Sequence, residues 1–150
     1  MTNFGERIAY WYLRLNGFLL VEDFVLHRAE GGHTSDTDLL GVRLMHTHEA
    51  INRERLDPDV AISRQLDGFA RNCAVIVQVK TGDRFDAAGA FTLDRLRYGL
   101  AFLGCVSEEV CDRVVVELEG RATIEAEGWT IAKLLISNEA NRPDAVCVSL

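Results

Sequence analysis

The run Ala74–Thr81 constrains the fold of this chain more than any other stretch. It is apolar, of strand length and rich in β-branched residues, which is typical of a strand buried in a sheet. Because side chains alternate between the two faces of a strand, Gln78 and Lys80 point to one face, whereas Val75, Val77 and Val79 point to the other. Burying polar groups without partners is costly, so this strand requires polar or acidic neighbours.

Acidic neighbours are found upstream, where Thr37–Leu44 is expected to form another strand. Asp36 and Asp38 share one face of that strand by its period of two. The segment Phe18–His27 is also predicted to be a strand, and the paired glycines between the two segments predict a hairpin. A sheet that brings this hairpin beside the Gln-x-Lys strand would supply the missing carboxylates.

Two helices are predicted around these strands. The first covers Asn3–Asn16, with Asn3 as its cap and Glu6 three residues later, which is a capping-box arrangement. Its apolar residues recur at intervals of 4, 3 and 4 and form one stripe, made of Phe4, Ile8, Trp11 and Leu15. The second helix is expected to begin after Thr92 and to end at Gly104.

The rest of the chain is less regular. Residues 45–72 form a polar insertion with charges of both signs, in which Asp57-Pro58 could open a short amphipathic helix. The C-terminal part is predicted to be mainly strand. The predicted elements are a single helical turn at Ser107–Cys111 and strands at Arg113–Leu118, Ala122–Glu127, Trp129–Ser137 and Ala145–Leu150, of which Trp129–Ser137 would also suit a helix. The last strand has no element after it, which indicates a truncated chain or a missing final element.

Length and composition predict a single domain, residues 1–150. The chain is 48% hydrophobic, enough for one sizeable core, and it contains neither a membrane-spanning run nor a signal pattern, so a soluble cytoplasmic protein is expected. The four cysteines lack metal-ligand spacing and are expected to be free, buried thiols. A net charge of −7 argues against a broad electrostatic grip on nucleic acid, although a local basic face or a partner subunit could provide one.

The motifs, taken in order, resemble those of a known superfamily. Gly5-Glu6 opens the first helix, Asp38 lies in the segment Ser35–Gly41, and Gln78 and Lys80 follow on the buried strand. This pattern resembles the PD-(D/E)xK nuclease superfamily, and its Gln-x-Lys form is similar to Mrr-type restriction endonucleases, in which glutamine replaces the usual acid. The resemblance covers roughly residues 3 to 103. It implies an α/β, restriction-endonuclease-like αβββαβ core, with a mixed sheet flanked by helices, followed here by extra C-terminal strands.

The residue types fit the chemistry of phosphodiester hydrolysis, which needs a cation to neutralise the phosphate and to make water nucleophilic. Mg²⁺, or Mn²⁺ in its place, prefers oxygen ligands such as one or two carboxylates. Asp38 is predicted to be the bridging carboxylate, the Gln78 amide a neutral ligand, and Glu6 an additional ligand. Lys80 is predicted to stabilise developing negative charge. Because Gln78 is uncharged, the site should hold metal more weakly than its acidic counterpart.

Structural alternatives stay open for each of these residues. Glu6 also fits a helix cap alone, Asp38 and Lys80 a plain ion pair, and Gln78 a partner for a neighbouring backbone group. Auxiliary roles are considered for Asp36, which also suits the start of a strand, and for His33, which could assist with a proton or contact phosphate.

Two further polar groups have both a functional and a structural interpretation. The pattern His46-x-His48 with Glu49 looks like a metal clip, but no second ligand pair stands at zinc spacing, which favours a solvated loop. Four arginines of the insertion could contact nucleic acid or form a solvated face, namely Arg53, Arg55, Arg64 and Arg71.

The function expected from these features is a Mg²⁺-dependent deoxyribonuclease that acts at Asp38, Gln78 and Lys80. The alternative is a catalytically inactive nuclease-fold protein that serves as a nucleic-acid-binding or protein-interaction module. DNA is the expected partner, with a homodimer or a larger defence or repair complex as further possibilities.

Overall fold

The computed structural model describes residues 3–27, 33–81, 89–138 and 142–149. Within these residues the helices are α1 (Phe4–Leu15), α2 (Val60–Gln65), α3 (Leu93–Leu103) and α4 (Glu108–Glu119). The strands are β1 (Leu19–His27), β2 (His33–Arg43), β3 (Glu49–Ile51), β4 (Glu54–Leu56), β5 (Asn72–Lys80), β6 (Thr123–Ala126), β7 (Trp129–Ser137) and β8 (Val146–Ser149). None of these helices has the length and apolar character needed to cross a membrane.

A mixed sheet forms the centre of the fold. Its strand order is β1-β2-β5-β7-β6, and β8 also pairs with β7, beside the half of that strand that β6 leaves open. The strand β2 runs antiparallel to both of its neighbours, whereas β5 and β7 are parallel. The predicted hairpin between the first two strands is confirmed as an antiparallel pair, although its glycine turn, Gly31-Gly32, lies outside the described residues.

Helices cover both faces of the sheet, as predicted. The buried valines of β5, such as Val75 and Val77, pack on the side of α1 and α2, with Leu13 among their neighbours. The residues between them, such as Ile76, pack on the side of α3 and α4. Because β5 is buried on both faces, it can be apolar almost throughout, which is the pattern that its sequence showed.

The predicted helix ends at α1 and α3 are confirmed. Asn3 Oδ1 accepts a hydrogen bond from the Glu6 backbone N–H at 3.0 Å, and the Asn3 amide donates to Glu6 Oε1 at 2.6 Å. Thr92 caps α3 by accepting from the Arg95 N–H at 3.4 Å, and Gly104 ends it in the left-handed conformation, with φ of 63°. The first turn of each helix is therefore fixed by local bonds.

The apolar stripe of α1 does not face the sheet. Phe4 and Trp11 are 79% and 57% exposed, and Ile8 and Leu15 are also exposed. The side of α1 that packs on the sheet instead carries Gly5, Ala9 and Leu13. Small residues on the packed side let the helix lie close to the strands, whereas the large apolar residues lie on its outer side.

The prediction of a strand at Arg113–Leu118 is wrong. These residues belong to α4, of which the predicted single turn at Ser107–Cys111 is only the beginning. Cys111, Val114 and Leu118 are buried together with Val115, at the helical spacing of 3, 4 and 7. Packing of this apolar face against the sheet outweighs the β-propensity of three consecutive valines.

The polar insertion contains more regular structure than its sequence indicated. It forms the short hairpin of β3 and β4 and the predicted helix α2, which is capped by Asp59 rather than opened by Asp57-Pro58. After this helix comes a single 3₁₀ turn, Asp67–Phe69. The insertion joins the core through the apolar side of α2, where Ile62 is fully buried.

The other C-terminal strands and the cysteines agree with the sequence. The ambiguous segment Trp129–Ser137 is a strand, and the segments on either side of it contain β6 and β8. All four cysteines are free thiols; Cys73, Cys105 and Cys111 are buried as predicted, whereas Cys147 is only half-buried. Burial raises the pKa of Cys73 and of Cys105 to about 11, so both stay protonated at neutral pH.

Candidate functional site

The candidate site lies where β2 and β5 separate. Their pairing ends at Leu39 and Val77, so the next residues along the two strands are Asp38 and Gln78. Asp38 Oδ2 accepts a hydrogen bond from the Val79 backbone N–H at 2.6 Å. The Asp38 side chain thus takes the place of a ladder bond at the point where the sheet opens.

A cavity of about 810 Å³ lies at this opening. Asp38 and Lys80 line it from the sheet, and Glu6 lines it from the first turn of α1. The other lining residues are Asn3, Phe4, Gly5, Ile8, Val79, Thr81 and Asn138. Three of the predicted site residues, distant in sequence, therefore converge on one cavity.

Gly5 explains how α1 reaches the site. A Cβ atom added to Gly5 would lie 2.3 Å from Thr81 Cγ2 and 2.6 Å from Thr81 Oγ1, which is too close for any side chain. Glycine therefore lets the first turn of α1 press against the end of β5. This close approach places the next residue, Glu6, on the wall of the cavity.

Asp38 has an unusual electrostatic environment. Burial raises the pKa of Asp38, and the nearby Glu6 carboxylate raises it further. The Val79 N–H, Lys80 and Arg95 lower it, but the net result is a pKa above the usual value of 3.8. A partly buried carboxylate that is costly to ionise is a group whose charge a bound cation would stabilise.

The stability of the protein should therefore decrease as Asp38 ionises. Between pH 3.8 and the higher folded-state pKa, the folded protein binds more protons at Asp38 than the unfolded chain does. The contribution of Asp38 is fully present below pH 3.8 and is lost as the pH rises through the folded-state pKa. We therefore compare the free energy of unfolding of the wild type with that of Asp38→Asn. The wild-type value minus the variant value should decrease as the pH rises from 3.8 through the folded-state pKa of Asp38.

Urea denaturation of both chains between pH 3 and pH 8 would measure this difference (about six pH values suffice). Mg²⁺ should reduce the decrease, because a cation favours the ionised carboxylate. A difference that stays flat or rises with pH would contradict the assigned environment of Asp38.

Gln78 and the auxiliary residues are placed differently. Gln78 is only 1% exposed, lies opposite Leu135 of β7, and is not among the described residues that line the cavity. Asp36 and His33 lie in β2, in register with Val25 and His27, but their side chains lie outside the described part of the structure. The predicted roles of all three therefore stay predictions.

Arg95 is a site residue that sequence reasoning missed. It lies in the first turn of α3, and its Nη1 donates to the carbonyls of Gly89 and Ala90 at 2.7 and 2.9 Å. Its Nε is buried and has no hydrogen-bond partner within the described residues. Its charge acts on Asp38. The only sequence signal for its position was the Thr92 cap, which places Arg95 in the first turn of the helix.

The donor set fits a hard divalent cation. Asp38 and Glu6 offer carboxylate oxygens on one cavity, and Mg²⁺ in proteins is usually held by one or two carboxylates together with water and phosphate oxygens. Within the ranges described, no cluster of three or more His, Cys, Asp or Glu residues could hold a metal. The arrangement is therefore suited to a cation that is shared with a phosphate ligand rather than to a closed protein cage.

The His46 pattern lies at a separate place. His46, His48 and Glu49 line a smaller cavity of about 250 Å³ near the C-terminal end of α1. The buried Arg43 also lines this cavity and donates to the carbonyls of Asn16 and Thr47. These bonds give Arg43 a structural role, since they join the end of α1 to the turn after β2.

No protein-family model, no curated protein and no solved structure matches the chain.

Proposed function

We propose that the protein is a metal-dependent nuclease with a restriction-endonuclease-like core, which hydrolyses phosphodiester bonds in DNA. The observation that carries the proposal is the convergence of Asp38, Lys80 and Glu6 on one cavity at the end of a central strand. When β3, β4, α2, α4 and β6 are set aside, the order α1, β1, β2, β5, α3, β7 also supports it, because it agrees with the αβββαβ order implied by the resemblance. The parallel pairing of β5 with β7 fits a mixed sheet.

Each residue has a defined role in this proposal. Asp38 and Glu6 hold a divalent cation, which when bound neutralises the phosphate and activates water. The Lys80 ammonium, which lines the same cavity, stabilises the negative charge that develops on the phosphate oxygens. The first turn of α1, which lines the cavity, contributes the positive end of its helix dipole toward the same anion.

Arg95 and Gln78 act behind these groups. The Arg95 guanidinium favours the ionised form of Asp38, which is the form that binds a cation. Gln78 is buried inside the sheet, next to the point where β2 and β5 separate. Its amide is assigned to positioning Asp38 in the folded state rather than to direct contact with the phosphate.

A DNA cleavage assay tests the proposal. We expect the protein to nick or linearise plasmid, or to degrade single-stranded DNA, with Mg²⁺ or Mn²⁺ and not with EDTA. Lys80→Ala should reduce the rate about 100-fold, the loss typical for one donor to a developing anion. Arg113→Ala is a matched control, since it removes a positive charge from the exposed surface of α4.

Two results would overturn the assignment. Cleavage that persists at the wild-type rate in Lys80→Ala would show that the activity does not use this cavity. DNA that stays intact after long incubation, with no metal binding by calorimetry, would favour the non-cutting interaction module. The buried position of Gln78 and the net charge of −7 are the observations that favour this second function.

A further inference from the structure

The outer side of α1 carries a second apolar face. Phe4, Ile8, Trp11 and Leu15 are 79%, 38%, 57% and 43% exposed, although the opposite side of the helix is already packed on the sheet. Isolated exposed apolar residues are common, but four large ones in one row are not. A helix that is apolar on two sides is normally buried on two sides.

The spacing of this row is that of a coiled-coil seam. The intervals of 4, 3 and 4 residues place the four side chains at successive d and a positions of a heptad, which is the narrow stripe that packs against another helix. The residues on the sheet side, Gly5, Ala9 and Leu13, follow a different spacing and do not contribute to the row. The outer face is therefore shaped for a helical partner.

We infer that this outer face of α1, which we call the α1 seam (Phe4, Ile8, Trp11 and Leu15), joins two copies of the chain as an antiparallel helix pair. The intervals are the same when read in either direction along the helix. A twofold axis perpendicular to α1 and beside its midpoint therefore brings every seam residue against a seam residue of the second copy. Closed dimers require such a self-complementary surface.

The pairing matches side-chain sizes. The twofold axis places Phe4 against Leu15 of the second copy, and Ile8 against Trp11 of the second copy. Each contact thus combines an aromatic ring with a branched aliphatic side chain, so that a large knob meets a smaller one across the pair. A parallel pair would instead place Phe4 on Phe4 and Trp11 on Trp11.

The charges beside the seam also permit two copies to meet. Arg14 is paired with Glu49 of its own chain, so its charge is already compensated. Arg7 would lie beside Arg14 of the second copy, because an antiparallel pair brings the same flank of both helices together, and the Glu49 partner of Arg14 limits the repulsion.

The size of the seam sets the expected strength of the dimer. From the exposed fractions, its four side chains present roughly 400 Å² of apolar surface, given that an aromatic side chain buries about 150–250 Å². A stable interface buries about 800 Å² per partner. The seam alone provides about half of that area, so the dimer should be weak and its population should depend on protein concentration.

The dimer interface would touch the candidate site. Phe4 and Ile8 belong to the seam and also line the large cavity. The end of α1 from the second copy would therefore complete the outer wall of that cavity. This inference does not depend on catalysis, because it concerns the oligomeric state alone.

Sedimentation equilibrium over a range of protein concentrations tests the inference. The wild type should pass from monomer to dimer, and Trp11→Glu should weaken the dimer by about 30-fold or more, as expected for a central aromatic contact. Phe102→Glu is the matched control, because Phe102 is also 57% exposed but lies on α3, on the other face of the sheet. Circular dichroism would establish that each variant is folded.

Cross-linking tests the orientation. An equal mixture of Phe4→Cys and Leu15→Cys chains should form more disulfide-linked dimer than either variant alone, with the parent chain as the control for its native thiols. A wild type that stays monomeric at every concentration would overturn the inference, as would a dimer that is lost in Phe102→Glu and retained in Trp11→Glu. Preferential Phe4–Phe4 linkage would overturn the antiparallel pair.

Discussion

Asp38→Asn is expected to abolish DNA cleavage while leaving the protein at least as stable as the wild type. The substitution removes the carboxylate assigned to the metal but keeps the shape of the side chain. A bound cation contributes several kcal/mol to stabilising the transition state, so the rate should fall by about 1,000-fold. Metal binding measured by calorimetry should weaken in parallel.

Stability should not fall, because the structural role of Asp38 can be met by an amide. Its Oδ2 accepts from the Val79 N–H, and the amide oxygen of asparagine can accept the same hydrogen bond. Burial raises the pKa of Asp38, which means that its negative charge is costly in the folded protein. Removing that charge should offset the lost attraction to Lys80 and Arg95.

Cleavage rates and thermal unfolding of the same preparations would test both parts of this expectation. Asp112→Asn is the matched control, since Asp112 is an exposed carboxylate that pairs with Arg97 on the far side of α3. If Asp38 were only half of a structural ion pair, Asp38→Asn would lower the melting temperature and leave any cleavage unchanged. A loss of activity with retained stability is the pattern that distinguishes a functional carboxylate.

The sequence predicted the strands of the site better than their surroundings. The apolar run of β5 and the period of two in β2 are local signals, and they were sufficient to bring Asp38 beside the Gln78-x-Lys80 strand. Glu6 was predicted as a ligand from the resemblance and from its place one turn into the first helix, and its capping contact with Asn3 is confirmed. These three features could be predicted because each depends on residues that are close together in the sequence.

The features that the sequence did not indicate depend on tertiary packing. Three consecutive valines in α4 favour a strand locally, but the face on which Val114 and Val115 join Cys111 is set by contact with the sheet. The burial of Gln78 depends on β7, which comes more than 50 residues later in the chain. The charge of Arg95 acts on Asp38 only because α3 packs across the sheet, and no local sequence pattern indicates that proximity.

The α1 helix shows that a correct periodicity does not by itself identify the side on which a helix packs. Its stripe is real, but the structure packs the helix through Ala9 and Leu13 instead. The decisive residue is Gly5, whose missing side chain permits the close approach to Thr81. A hydrophobicity pattern counts large apolar residues and therefore overlooks a contact made by small ones.

Gly5→Ala is expected to destabilise the protein by about 1–3 kcal/mol, the usual cost of overpacking. The new methyl group would overlap the Thr81 side chain, so the first turn of α1 must move away from β5. Helix propensity alone predicts the opposite sign, because alanine is favoured over glycine by about 1 kcal/mol inside a helix. The same movement carries Glu6 away from Asp38, and cleavage should decrease as well.

Thr81→Gly provides the test of this mechanism, since it removes the atoms that the new methyl group would meet. In urea denaturation, the double-mutant cycle of Gly5→Ala and Thr81→Gly should give a favourable coupling of about 1 kcal/mol or more. Gly120→Ala is the matched control, because a Cβ there meets nothing within 4 Å, and its stability should not decrease. If Gly5→Ala were as stable as the wild type, or if Thr81→Gly gave no rescue, the close contact would not be what holds α1 against β5, and the placement of Glu6 on the cavity wall would need another cause.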